Sequence, residues 1–260
     1  MNVLVFDIET IPDIESGKKI FDLEGLDDGS TIKAMRHLRQ QKTGTDFMPL
    51  YLHKIVAISV VYRGMGNDME HEVSVRSLGE LGSSESELLT LFINQIDERT
   101  PTLVSWNGSG FDLPVIHYRM LKNNISAPSY WEKGDNNSSF QYDNYLSCYH
   151  ERHTDLMDAL ASYNRGANAP LDHMATMLGF PGKMGMDGSQ VWDEFQSGNL
   201  KGIRDYCETD VLNTYLVYLR YQFMRGEINE GELEKEYNLL RNVLNNSGKQ
   251  HLQQFSNSWS

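Results

Sequence analysis

The stretch that most constrains the fold is NVLVFDIETIP, residues 2–12, an apolar run that finishes on two carboxylates. Val3 to Phe6 read as core, so residues 2–7 are predicted to be a buried strand. Asp7 and Glu9 are two apart and therefore share a face of that strand. Burying unpaired carboxylates is expensive, so something positive, or water, has to meet them. Acids at the carboxyl end of a central strand also sit where open α/β sheets bind ligands. The pattern D-x-E says little by itself, because Asp13–Glu15 and Asp22–Glu24 repeat it in stretches that read as solvated loop.

Downstream, residues 13–53 are polar and charged, with helical character around STIKAMRHLRQQ, and read as an insertion or excursion. HKIVAISVVYR and HEVSVRSL are β-branched runs separated by GMGND, which predicts a hairpin. SSESELLTLFINQIDER is an amphipathic helix with Ser84 and Glu87 spaced as a capping box. A short strand TLVSW follows, then NGSG and a helix from about Phe111 to Asn123, then an Asn/Ser-rich loop to residue 150. Residues 153–163 begin as a strand and continue as a helix, and LDHMATMLG forms another. Helices are expected over 190–197 and 200–224, before a charged helical tail (226–260) that should be solvated and frayed. Interleaved strands and helices indicate an α/β domain with a mixed sheet over residues 1–225.

Two further stretches offer acids. In WNGSGFDLPVI, Asn107 and Asp112 lie five apart just after a strand; as a bare turn, the same segment would place Asp112 in a helix's first turn, where a carboxylate suits the dipole. In RDYCETDVLNTYLVYLRY, Tyr206 and Asp210 are four apart on one helix face, and of the 13 tyrosines only this one has an acid at that spacing. Four acids on three separate elements suit a pair of divalent ions, about 4 Å apart in such sites, that serve phosphoryl transfer. An oxygen-rich donor set favours Mg²⁺ or Mn²⁺ over zinc. A zinc alternative from Cys148, His150 and His153 lacks a fourth ligand.

The totals limit the partners. A net charge of −13 on 260 residues argues against gripping nucleic acid through a global basic face. Apolar and charged fractions of 40% and 23% are those of an ordinary globular protein. No 18-residue apolar run exists and no basic segment precedes the first apolar stretch, so neither a membrane span nor a signal peptide is expected. Two cysteines without a CxxC pair fit a reduced cytoplasm.

In order, D-I-E-T, N-x-x-x-F-D and Y-x-x-x-D resemble the motifs of the DEDD superfamily of 3′→5′ exonucleases, in its tyrosine-bearing subclass. The likeness is to the proofreading domain of family-B DNA polymerases and to a related bacterial family of stand-alone predicted exonucleases. HKIVAISVV, LDHMATMLGFPGKMGMDGSQVW and YCETDVLNTYLVYLRY extend it over roughly residues 1–225. It implies an RNase H-like fold with a five-stranded mixed sheet flanked by helices. It also implies two divalent ions on Asp7, Glu9, Asp112 and Asp210, with Tyr206 orienting the attacking water. Asn107, Phe111, Asp155 and Lys183 are candidate substrate contacts. His150 and Asp155 also match the H-x-x-x-x-D of the histidine-bearing subclass. The expected substrate is a single-stranded 3′ end, DNA before RNA, with a separate polymerase or repair protein as a possible partner. A catalytically silent binding module and an RNA-trimming enzyme are the alternatives.

Overall fold

In the computed structural model, residues 1–65 and 71–259 are described. The first half contains β1 (Val3–Pro12), α1 (Ile14–Phe21), α2 (Asp28–Thr43), β2 (His53–Met65), β3 (His71–Ser77), α3 (Glu85–Arg99), β4 (Thr102–Ser105) and α4 (Asp112–Asn123). The second half contains α5 (Pro128–Trp131), β5 (His153–Asp155), α6 (Leu156–Leu160), α7 (Leu171–Met177), α8 (Val191–Gln196), α9 (Leu200–Arg225), α10 (Glu230–Asn246) and α11 (Gln250–Ser258). The strands form one mixed sheet in the order β3-β2-β1-β4-β5. β1 runs antiparallel to β2 and parallel to β4, and β5 is parallel to β4. This is an RNase H-like α/β fold. β2 and β3 pair as the hairpin pattern predicts, while residues 66–68 of GMGND lie outside the described residues.

β1 is covered on both sides. Leu4, Phe6 and Ile8 pack with α3 and α4, whereas Val3 and Val5 pack with α9 and the C-terminal helices. Asp7 and Glu9 continue the second row and so face α9. The strand is longer than the predicted 2–7, which puts both acids in its interior rather than at its end. The cause is unequal pairing. β2 accompanies β1 from Val3↔Arg63 to Pro12↔His53, but β4 stops at Val5↔Val104. Beyond Val5 the β4 edge of β1 is therefore bare. The β1–β2 register shifts between Glu9 and Thr10, a bulge of the kind that re-aims side chains.

The excursion forms a helical pair. α1 and α2 close over a small cluster of Met35, Met48 and Leu52, with the Met35 thioether packed directly on Gly17. Asp13 is not the solvated acid expected. It is buried, caps α1 and pairs with Arg119 and Lys122. Glu15, Asp22 and Glu24 are exposed.

The tail also departs from expectation. Leu233, Tyr237, Leu240 and Leu244 of α10, with Leu252 and Phe255 of α11, belong to the same core cluster as Val3 and Val5. Glu236 forms a buried two-point ion pair with Arg63 of β2, at 2.6 and 2.7 Å, and accepts from the Tyr215 hydroxyl at 3.2 Å. Spacings of four, three and four place those α10 residues on one stripe, which wins over the charged composition around it. No described helix is long and apolar enough to cross a membrane.

Candidate active site

Three elements converge beside the bare edge of β1. β1 contributes Asp7 and Glu9, the first turn of α4 contributes Asp112, and α9 contributes Tyr206, Cys207 and Asp210. The Ile8 amide, left without a β4 partner, donates to Asp112 Oδ1 at 3.2 Å. That bond docks α4 against the strand between the two β1 acids.

The loop ahead of α4 is held in an unusual shape. Asn107 has φ +63°, and a Cβ on Gly108 would lie 2.2 Å from Ser105 Oγ, so the turn needs its glycine. Asp155 braces it, accepting from the Asn107 and Ser109 amides at 2.9 and 2.8 Å while also capping α6 through the Met157 amide. Asp155, expected as a substrate contact, here has both carboxylate oxygens bonded to backbone amides.

Electrostatically the cluster is strained. Burial first, then the charges of Asp112 and Asp210, raise the Asp7 carboxyl well above the usual range. Glu9 is raised in the same way, by burial and then by Asp7, Asp210 and Asp112. Burial raises Asp112 to about 7, against the lowering pull of the Ile8 amide. It raises Asp210 to about 6, opposed by a hydrogen bond from the Tyr206 hydroxyl and by the charge of Lys183. Among the described residues, no lysine, arginine or histidine forms an ion pair with any of these four acids.

The remaining candidates are separated by what they touch. Phe111 is half-buried at the mouth of the site, its ring 5.1 Å from His53 and 6.1 Å from Phe47. The Lys183 ammonium pairs with Asp187, and its loop is tied to α9 by Asn213, which bonds both backbone groups of Gly182. Lys183 is therefore near Asp210 but already engaged. His150 Nδ1 accepts the Asn144 amide at 3.0 Å, and His153 bonds Ser105 Oγ at 2.8 Å. With Asp155 held by amides as well, neither the zinc alternative nor the His150–Asp155 alternative assembles.

One member escaped the sequence reading. Cys207 Sγ lies 3.4 Å from Asp7 Oδ2, and Asp7, Glu9 and Cys207 are the one group of potential ligand atoms among the described residues that falls within 4.8 Å. Burial and the neighbouring acids push the Cys207 thiol far up, so it stays protonated and donates to Asp7. Asp112 and Asp210 flank this group. A lone cysteine next to Tyr206 gives no sequence signal of this contact.

Residues 45–259 match the family of predicted 3′–5′ exonucleases related to the exonuclease domain of PolB. The chain belongs to that family. No curated protein matches it. The match takes in α10 and α11 and so runs past the span of about 1–225 covered by the motifs. It begins after α2, so the placement of Asp7 and Glu9 rests on the pairing of β1 with β2.

Proposed function

We propose that this protein is a 3′→5′ exonuclease that uses two divalent ions, Mg²⁺ or Mn²⁺, to release nucleoside 5′-monophosphates from single-stranded 3′ ends. The observation that carries this reading is the convergence of four desolvated carboxylates with which no cationic side chain among the described residues forms an ion pair. Such a cluster destabilises the fold unless cations or protons compensate it. The donor set fits hard divalent ions: its oxygens are carboxylate oxygens, and the one sulfur nearby is a protonated thiol, a poor ligand.

Asp7, Glu9 and Asp210 would hold one ion, and Asp7 with Asp112 the other. When bound, such ions stabilise charge on the attacking and leaving oxygens. Tyr206 is raised further above its ordinary value by burial and by the charges of Asp210 and Glu9, so it keeps its proton. A neutral phenol cannot act as a base at pH 7; its oxygen, anchored by donation to Asp210, can accept a hydrogen bond from the incoming water and orient it. Hydrolysis places the water's hydroxyl on phosphorus and its second proton on the departing 3′ oxygen. The relation to PolB supports DNA over RNA.

The test is digestion of 3′-end-labelled single-stranded DNA, duplex DNA and RNA with Mn²⁺ or EDTA. Release of mononucleotides from the DNA single strand, lost in EDTA and in Asp7→Asn, is expected. Metal-independent release, or full activity in Asp7→Asn, would remove the two-metal reading.

A further inference from the structure

The excursion between β1 and β2 carries positive charge that the protein does not neutralise. In a chain of net charge −13, α2 bears Arg36, Arg39 and Lys42 within two turns. Among the described residues none of the three forms an ion pair. Arg36 and Lys42 are exposed, and Arg39 donates only to the Phe47 carbonyl, at 3.1 Å. Lys42 suits the helix dipole in the last turn, but mid-helix Arg36 gains nothing from it.

These cations line a path that starts at the acids. A hollow of about 530 Å³ is lined by Glu9, Phe111, Phe47, Arg36 and Met48. A second, of about 380 Å³, is lined by Met48, Tyr51, Phe21, Arg39 and Lys42. Met48 belongs to both, so the two adjoin. Glu9 and Asp46 line the first along with Arg36, and the second has Arg39 and Lys42 and no acid, so the lining is more basic in the second hollow. Phe47 and Tyr51 are exposed along it. Aromatic faces beside unpaired cations are what a single strand requires, for base stacking and phosphate contact.

We propose that this path is the track for the substrate strand: the nucleotides preceding the 3′ end stack on Phe111, Phe47 and Tyr51, and their phosphates meet Arg36, Arg39 and Lys42. The strand's polarity rests on the nuclease reading above; the track itself does not. α2 lies wholly ahead of the family match at 45–259, so membership of the family does not account for it. The track answers how so acidic a chain holds a polyanion, with attraction confined to one arm.

The double variant Arg36→Gln/Lys42→Gln decides it, because both side chains are exposed and neither forms an ion pair among the described residues. With Mn²⁺, KM for (dT)12 should rise about tenfold with kcat unchanged, and a dinucleotide should be hydrolysed as by the parent protein. The slope of log(kcat/KM) against log[KCl] should flatten by about 1.4, two contacts at about 0.7 each. An unchanged KM and slope would overturn the track and leave the nuclease reading standing. If the parent protein releases nothing, the nuclease reading fails instead. Fluorescence anisotropy with labelled (dT)12 then judges the track, weaker and less salt-sensitive binding by the variant supporting it and equal binding overturning it. Running (rU)12 in parallel assigns the sugar: equal losses mean backbone recognition, and a loss on one polymer confines the track to that strand.

Discussion

Two buried clusters of acids are built from the same segments of chain and treated in opposite ways. At one end, β1 offers Asp7 and Glu9 and α4 offers Asp112, with no cation among the described residues paired to them. At the other, Asp13 just past β1 and Glu85 of α3 meet Arg119 and Lys122 of α4. Arg119 bonds Glu85 through Nε and Nη2 at 2.7 and 2.6 Å, and Glu85 also accepts the Ile55 amide at 2.7 Å. Although burial raises Asp13, hydrogen bonds from Lys122 and Arg119 hold it well below the usual carboxylate range. Glu9, also buried, is pushed the other way. Burial therefore does not separate a structural acid from a site acid; compensation does. The paired cluster ties the excursion and α4 to the sheet, whereas burial and mutual repulsion favour protons on the unpaired one.

The sharpest test of this contrast changes one acid in each cluster. Asp7→Asn should cut mononucleotide release about a thousandfold or more, the scale of losing a charge-stabilising group, while raising the melting temperature in EDTA by relieving repulsion. Asp13→Asn should lower it. Equal destabilisation by both would erase the distinction. Next in size, Arg119→Met leaves Asp13 and Glu85 buried beside fewer cations and should cost about 3–5 kcal/mol in urea denaturation. A loss under about 1 kcal/mol would mean that the paired cluster contributes little to stability.

Tyr206→Phe should slow kcat by about tenfold to a hundredfold, the scale of a misplaced reactant, with the Mn²⁺-induced rise in melting temperature retained. Loss of the metal response instead would give the hydroxyl a role in binding ions. The smallest effect is one of pH, and its sign differs between the clusters. Asp112 and Asp210 titrate near 7 and 6 when folded, above an unfolded carboxylate, so the stability of their protonated forms is present at low pH and lost as pH rises through 6–7. Asp13 is depressed, so its contribution is present above the unfolded value near 4 and lost as pH falls below it. In EDTA, stability should therefore peak between about pH 4 and 6. Metal competes with those protons, so Mn²⁺ should stabilise more at pH 8 than at pH 5.5. A metal response flat across that range would count against Asp112 and Asp210 as ligands.

Much of this was legible from residues in order. The Ser84–Glu87 capping box forms as spaced, α4 begins at Asp112, and Gly179 closes α7 in the left-handed region with φ +82°. Asp7 and Glu9 share the face that their two-residue spacing requires. Other features depended on partners remote in sequence. Asp13 looked solvated because Arg119 lies 106 residues away. Asp155 looked like a site acid because the amides of Asn107 and Ser109, 48 and 46 residues upstream, could not be assigned to it. The tail looked solvated because its apolar stripe is narrow and the surface it packs on belongs to α9 and β3, with Arg63 of β2.

By itself, the sequence determined which atoms share a face: Asp7 with Glu9 on a strand, Tyr206 with Asp210 on a helix. Local backbone geometry repeats every two residues or every 3.6, so such pairings need no knowledge of the rest. Only the tertiary structure decided which acids are compensated, because charge pairing across the chain depends on which elements pack together. That is why Asp13 and Glu9, four residues apart, ended with opposite fates.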